Sequence, residues 1–368
     1  MTTRYGLIGA GMMGQEHIRN VALLEDAAVT AVADPDEGMR AAAAALAGAR
    51  AHADYRDLLG AGDCDAFILA APNDLHLPLM RDMLEAGKPI LCEKPLAISA
   101  ADCAEIKRLA EGRAPVWVAM EYRYMPPVAR LIDALRDGVA GTPRMVGIRE
   151  HRFPFLDKVD DWNRFNARTG GTLVEKCCHF FDLMRHILGR DPVRVYATGG
   201  ADVNHRAERY GGRVPDILDN AFVCVDFEGG TRAMLDLCMF AEGAEWQEEI
   251  TLAGDAARIA ARVPGPARFS PDGQERHSEF VIETRAEKRP FREIVEVDER
   301  ILRAGDHHGS TFYQHERFLA MVREGGMPEV GLADGYWSVL VGEAAERSIC
   351  THQVIDLREN GHPAVSAA

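Results

Sequence analysis

The segment Gly9-Ala10-Gly11-Met12-Met13-Gly14 constrains this chain more than any other. It follows an apolar run, Tyr5-Gly6-Leu7-Ile8, and opens a stretch patterned as a helix. A strand, a G-x-G-x-x-G turn and a helix together form a dinucleotide cradle. Gly9 permits the tight turn, Gly11 lets backbone approach a pyrophosphate, and Gly14 allows close helix–strand packing. The helix N-terminus adds unpaired N–H groups for the anion, so Gly9, Gly11, Met12, Met13 and Gly14 are the first cofactor-binding candidates. In a chain of 368 residues with 34 glycines the motif alone is weak, but its acidic partner is in place. The apolar run 28–33 ends in Asp34, 20 residues after Gly14, where a carboxylate would hold ribose hydroxyls. That charge would repel the 2′-phosphate of NADP, and Asp34-Pro35-Asp36-Glu37 supplies no arginine to compensate. NAD is the expected cofactor.

Length and composition set the frame. A chain of 368 residues is expected to form two domains, here drawn as a dinucleotide-binding domain over 1–124 and a substrate and assembly domain over 125–368. A formal charge of −15 argues against nucleic acid or an anionic membrane as the main partner. No apolar stretch reaches the roughly 18 residues that span a bilayer. From Arg4 the chain passes directly into a strand, with no signal-peptide core. The eight cysteines lack disulfide-framework or C-x-x-C spacing, which fits a reducing cytoplasm.

The first third alternates strand and helix. Strand-like runs at Tyr5–Ile8, Val29–Ala33, Ala66–Ala71, Pro89–Cys92 and Val116–Met120 are separated by helical patterns such as Met39–Leu46, Leu77–Glu85 and Ala101–Glu111. That alternation predicts parallel βαβ units, an α/β fold with its ligand crevice at the strand C-termini. After Tyr124-Met125-Pro126-Pro127 the pattern changes to one helix, Val128–Asp137, and then mostly strands. These read at Met145–Phe153, Val193–Ala197, Ala221–Phe227, Arg232–Phe240, Ile250–Ala253, Ile259–Val263 and Ile294–Val297, with Glu228-Gly229-Gly230 as a hairpin turn. Two helices, Thr311–Arg323 and Ala333–Thr351, close an α+β domain built on a large, mostly antiparallel open sheet. Residues Pro264–Arg289, rich in Pro, Ser and charge, read as a surface excursion without chemistry.

A nucleotide cradle that oxidises an alcohol needs a proton-handling group beside the nicotinamide. Lys94, in Glu93-Lys94-Pro95, ends a strand at the crevice, where partial desolvation would make its ammonium a usable acid or base. A second segment runs Gly170-Gly171-Thr172-Leu173-Val174-Glu175-Lys176-Cys177-Cys178-His179-Phe180-Phe181-Asp182. Helical from Thr172, it would place Glu175 and His179 one turn apart on one face, with Asp182 close by. The carboxylate would then orient the imidazole as a general base. Thr172-x-x-Glu175 also reads as a capping box, which by itself would account for both residues. Cys177, Cys178 and His179 do not make a zinc site, because adjacent helical cysteines diverge by about 100°. No metal is expected.

Together these residues resemble the glucose–fructose oxidoreductase, inositol dehydrogenase and rhizopine-catabolism superfamily, Gfo/Idh/MocA. The resemblance spans nearly the whole chain. It rests on Gly9–Gly14, Ala71-Pro72-Asn73-Asp74-Leu75-His76, Glu93-Lys94-Pro95, Tyr122-Arg123-Tyr124-Met125-Pro126, Gly170-Gly171…His179-x-x-Asp182 and Tyr313…Phe318. It implies that Lys94 and His179 work on a substrate hydroxyl. Glu175 stands where the family usually carries Asp, which leaves its role open between catalysis and capping. The resemblance further implies that Ala71, Pro72, Asn73, His76, Glu93, Lys94 and Arg123 border the cofactor, with Trp162 and Arg164 near the nicotinamide. Asn73 also reads as an N-cap of the following helix. His151, Arg152, Tyr313 and Arg123 are implied to line the substrate with Lys94, Glu175 and His179. Arg123, Arg152, Lys158, Arg164 and Lys176 could together form a basic pocket for an anionic substituent.

The expected activity is NAD-dependent oxidation of a secondary hydroxyl in a sugar, sugar derivative or cyclitol. The alternative is a redox-neutral, NAD-dependent glycoside hydrolase that oxidises the sugar transiently, eliminates, hydrates and re-reduces. A ligand-sensing regulator that kept the fold is a third reading, against which the presence of both Lys94 and His179 weighs. The runs Phe222–Phe227 and Met234–Phe240 carry partly apolar outer positions, so the second domain's sheet is expected to hold a homodimer or homotetramer.

Overall fold

The structure, a computed structural model, describes residues 1–358 apart from 270–272 and 275. The apolar runs of the N-terminal third become strands β1 Thr3–Ile8, β2 Ala27–Ala33, β3 Arg50–His52, β4 Ala66–Leu69, β5 Ile90–Cys92 and β6 Val116–Val118. Between them lie helices α1 Met12–Val21, α2 Glu37–Ala47, α3 Tyr55–Ala61, α4 His76–Glu85 and α5 Ala100–Leu109. The strands are buried almost without alternation, as a parallel sheet covered on both faces requires. Asp36 and Ser99 cap α2 and α5, accepting hydrogen bonds from the Met39 and Asp102 amides.

Every pairing in this sheet is parallel, in the order β3-β2-β1-β4-β5-β6. The order reverses between β1 and β4, so the loops after β1, β4 and β5 open side by side. They carry Gly9–Gly14, Ala71-Pro72-Asn73 and Glu93-Lys94, the crevice position of a doubly wound sheet.

The rest of the chain contains helices α6 Pro126–Arg136, α7 Asn166–Thr169, α8 Thr172–Glu175, α9 Cys178–Leu188, α10 Glu299–Ala304, α11 Ser310–Glu324 and α12 Leu332–Thr351. Its strands are β7 Pro143–His151, β8 Pro192–Gly200, β9 Asn220–Phe227, β10 Arg232–Cys238, β11 Glu248–Gly254, β12 Ala257–Val263, β13 Ser278–Thr284, β14 Pro290–Val295 and β15 Ile355–Asp356. They form one sheet, β14-β13-β12-β11-β7-β10-β9-β8-β15, antiparallel except for the β7–β10 pair. One face is packed by α6, α9 and α12. Along β7, Val146, Ile148 and Glu150 turn inward while Met145, Arg149 and His151 turn outward.

One expectation fails here. Residues 264–289 are not merely a surface excursion, because they include β13, whose Phe280 and Val281 are fully buried between β12 and β14. Flanking charges hide the strand in the sequence, and its Glu279 and Glu283 answer Arg262 and Arg258 across the ladder.

Candidate active site

The cradle keeps the geometry its glycines require. Gly9 takes φ +97°, and a side chain there would strike the Ala70 carbonyl, while one at Gly14 would strike the carbonyl of Gly9. A Cβ at Gly11 would meet nothing within 4 Å, so that position alone is left open for a ligand. Asp34 stands at its edge. Its Oδ2 accepts the Ala10 amide at 2.7 Å and its Oδ1 the Asp36 amide at 2.8 Å. Arg40, which the sequence reading passed over, spends Nη1 on the Asp34 and Pro35 carbonyls at 2.7 and 3.2 Å. An open glycine backbone with a carboxylate beside it suits a dinucleotide and its ribose.

The neighbouring loops are tied to one another. His76 lies between the carbonyls of Pro95 and Ala71, at 2.9 and 3.0 Å, and so clamps the β4 and β5 loops. Glu93 pairs with His17 at 2.9 Å and accepts the Lys94 amide at 3.1 Å. Asn73 caps no helix; its side-chain amide donates to the Glu175 carboxylate.

Glu175 and His179 do not share one helix. α8 ends at Glu175, a turn intervenes at Lys176-Cys177, and α9 begins at Cys178. The capping box is also absent, since Thr172 Oγ1 donates to the Leu218 carbonyl and the cap position, Gly171, makes no side-chain bond. Glu175 instead gathers cations. Lys158 Nζ lies 3.4 Å from Oε1, and Lys94 Nζ donates to the Glu175 backbone carbonyl at 3.0 Å. Burial acts to raise the Glu175 carboxyl, but Lys94 and Lys158 more than offset it and hold it down at about 2. Burial likewise opposes the Lys94 charge, and the Glu175 carboxylate reverses that, leaving Lys94 raised. Lys158 shifts the other way, lowered by burial, and stacks 4.4 Å over the Trp162 ring.

His179 lies against Tyr122, ring centroids 4.0 Å apart and planes 5° from parallel. Its Nδ1 is enclosed without a hydrogen-bond partner. Burial first, and then the charges of Lys94 and Lys176, hold the imidazole well below its usual range, so it is neutral at physiological pH. Lys176 Nζ donates to Tyr122 Oη at 2.6 Å and pairs with Glu150 at 2.9 Å.

A further cluster went unnoticed in the sequence because its members lie nearly 300 residues apart. His307 Nδ1 sits 2.8 Å from Glu16 and 3.5 Å from Glu121, and Thr311 Oγ1 lies within hydrogen-bond distance of both carboxylates, at 3.0 and 2.5 Å. Burial opposes a charge on His307, yet Glu16 and Glu121 carry it up to about 9.

Several expected site residues are placed elsewhere. Arg123 makes a buried two-pronged pair with Asp182, at 2.7 and 2.6 Å, and adds Asp334 at 3.2 Å. Asp182 therefore braces the core rather than His179. Arg164 is buried and consumed by Asp157, Glu208, Asn163 and the Leu156 carbonyl. His151 lies on the outer sheet face, 3.2 Å from Asp236, because strand alternation sends Glu150 inward in its place. Tyr313 meets Phe312 edge to face, ring centroids 5.4 Å apart, and α11 reaches Glu16 and Glu121 through Thr311. Arg152 stays near, 3.4 Å from Glu150. The five bases form no common anion pocket, since Arg123 is paired with Asp182, Lys158 with Glu175 and Arg164 with Asp157, while Arg152 and Lys176 share Glu150.

Residues 3–121 match the Gfo/Idh/MocA family's "Oxidoreductase family, NAD-binding Rossmann fold" and residues 132–357 its "Oxidoreductase family, C-terminal alpha/beta domain". The chain belongs to the Gfo/Idh/MocA family of oxidoreductases, and its first domain is an NAD-binding Rossmann domain. It is 29% identical to an inositol 2-dehydrogenase of Saccharopolyspora erythraea over 100% of this chain and 99% of that one. A myo-inositol 2-dehydrogenase of Thermotoga maritima is 25% identical over 97% and 99%. Levoglucosan dehydrogenase, solved with NADH, shares the fold with a TM-score of 0.80 at 20% identity, over 97% of this chain and 99% of that one.

Proposed function

We propose that this protein is an NAD-dependent dehydrogenase of a secondary hydroxyl in a sugar, sugar derivative or cyclitol. The observation that supports the reading is that the Lys94 charge bears directly on the buried His179 imidazole, with Lys94 Nζ on the Glu175 carbonyl and His179 Nδ1 unpartnered. NAD supplies the hydride acceptor. A buried, neutral His179 takes the hydroxyl proton. Lys94, kept charged by Glu175, polarises the hydroxyl oxygen and favours its alkoxide character. Glu175 acts through Lys94 and Lys158 as a positioning carboxylate. The named dehydrogenases among the relatives support the substrate class.

The test is NADH formation across neutral sugars, sugar acids, glycosides and cyclitols, with stoichiometry. One NADH per product upholds the dehydrogenase. Cleavage of a glycoside without net NADH assigns the redox-neutral hydrolase instead.

Assembly belongs to the same reading. The outer sheet face exposes Phe222 (56%), Met145 (54%), Met234 (46%) and Tyr196 (45%) on adjoining strands, apolar surface that a second copy would cover. A homodimer or homotetramer through this face is the expected state, and light scattering at the chain's own mass counts against it. None of the described helices is long and apolar enough to cross a membrane. The eight unpaired cysteines support a reducing, cytoplasmic setting.

A further inference from the structure

Behind Lys94 a line of buried hydrogen bonds runs from the loop after β5, through α1, to α11. Glu93 Oε2 accepts the Lys94 amide at 3.1 Å, and Glu93 Oε1 meets His17 Nε2 at 2.9 Å. His17 Nδ1 in turn meets His315 Nε2 at 2.8 Å, the two rings nearly perpendicular at 89°. Glu93 is buried, and both histidines are completely enclosed. Thr311, one turn before His315 on α11, lies against Glu16, the neighbour of His17 on α1. Adjacent residues of one helix thus meet residues one turn apart on the other, which fixes where His315 stands.

These contacts decide where the protons lie. Burial opposes a charge on Glu93, but the bond from His17 and the nearby Lys94 ammonium keep it ionised. A carboxylate only accepts, so His17 Nε2 carries a proton. On a singly protonated ring Nδ1 is then an acceptor, and the facing His315 Nε2 is its donor. Burial holds His315 well below the usual histidine range, so it too carries one proton and its Nδ1 is bare. That nitrogen is enclosed without a partner. Orphaned N–H groups are the rarer kind in protein interiors, so the enclosed Nδ1 favours the same assignment. Without the His315 N–H, nothing selects between the two ring forms of His17. The form protonated at Nδ1 turns a lone pair on the Glu93 carboxylate and frees the group that holds the Lys94 amide.

We propose that His315 is a positioning residue for the reaction: through His17 and Glu93 it holds the loop that carries Lys94, so that α11 sets the placement of the reacting ammonium. A histidine kept in the wrong ring form can leave a fold intact and still cost activity heavily. The inference rests on the dehydrogenase reading of Lys94 and adds to it two fully buried histidines.

The first measurement uses the unaltered full chain with NADH. Proton–nitrogen spectra of the protein labelled in its histidine rings, assigned with single-histidine variants, should show His17 and His315 each protonated at Nε2 and bare at Nδ1. His17 protonated at Nδ1, or on both nitrogens, overturns the proposal. The second measurement compares two variants. His315→Phe keeps a ring and removes the donor, whereas His315→Gln restores a donor where the imidazole Nε2 stands. In lysine-labelled protein the Lys94 amide signal should move in His315→Phe and return in His315→Gln. Turnover should follow it, with kcat about ten- to a hundredfold lower in His315→Phe, the scale of a small misplacement, and largely recovered in His315→Gln. The Kd for NADH should stay within about twofold. A Lys94 amide that does not move in His315→Phe, or equal kcat in the two variants, overturns the proposal and assigns His315 to the core alone. If His315→Phe does not fold, the ring spectra of the unaltered protein decide. A Lys94 amide that moves and returns as expected, with no NADH formed from any compound, upholds the positioning and overturns the dehydrogenase reading.

Discussion

Lys94 Nζ donates to the backbone carbonyl of Glu175 at 3.0 Å, which ties the loop after β5 to the end of α8. The lysine is thereby held by an atom that no side-chain substitution removes, while the Glu175 carboxylate is left to Lys158 and Asn73. The usual hydrogen-bond contribution of about 1 kcal/mol would be modest for stability, but it fixes a flexible four-carbon chain at the crevice.

Replacing either Lys94 or His179 by Ala should lower turnover by roughly 10²–10⁴ while NADH still binds. Stopped-flow rates and NADH fluorescence titration read the two quantities separately. Near-normal turnover in both variants would remove them from the mechanism.

Glu175→Gln keeps the side chain's shape and removes the charge that sustains Lys94 and answers Lys158. The Lys94 pKa should fall, moving the alkaline limb of the kcat/KM profile toward lower pH. Glu175→Asp should restore the limb in part. A purely structural carboxylate would change stability and leave the limb where it was.

Asp34→Ala removes the acceptor expected for the ribose hydroxyls and the repulsion expected against a 2′-phosphate. NAD binding should weaken by roughly ten- to a hundredfold, the scale of a lost charge-assisted hydrogen bond. The preference over NADP should shrink with it. Tighter binding of NADP than NAD by the unaltered protein would contradict this placement of Asp34.

His307 makes stability depend on alkaline pH. Its folded pKa is raised from the ordinary 6.5 to about 9, so the protonated ring favours the folded state. That contribution is complete below 6.5 and is lost as pH rises through about 9. Melting temperature should therefore fall over this interval, and His307→Gln should flatten the fall. A variant with an unchanged slope would show that Glu16 and Glu121 do not draw their stabilisation from this ring.

Arg123→Ala should strip Asp182 of its buried partner and cost about 3–5 kcal/mol in denaturant unfolding, without altering the KM for NAD. A selective rise in that KM at unchanged stability would return Arg123 to the cofactor site.

The Rossmann half was legible because its signals are local. An apolar run, a glycine turn and a carboxylate a fixed distance on report directly on backbone geometry, and the parallel sheet follows from alternating strands and helices. β13 was lost among charges whose partners lie on other strands. The sequence also singled out Lys94, Glu175 and His179 as chemistry-bearing side chains, on the loop after β5 and on the segment from Gly170 to Asp182. Tertiary structure decided what each one touches. A two-residue break between α8 and α9 separates Glu175 from His179, strand parity turns His151 outward and Glu150 inward, and core packing assigns Arg123 to Asp182. His307, Glu16 and Glu121 meet only because the chain closes over nearly 300 residues. Spacing along a chain reports on one turn of helix or one strand, whereas the pairing of buried charges is settled by whichever partners the closed fold brings within reach.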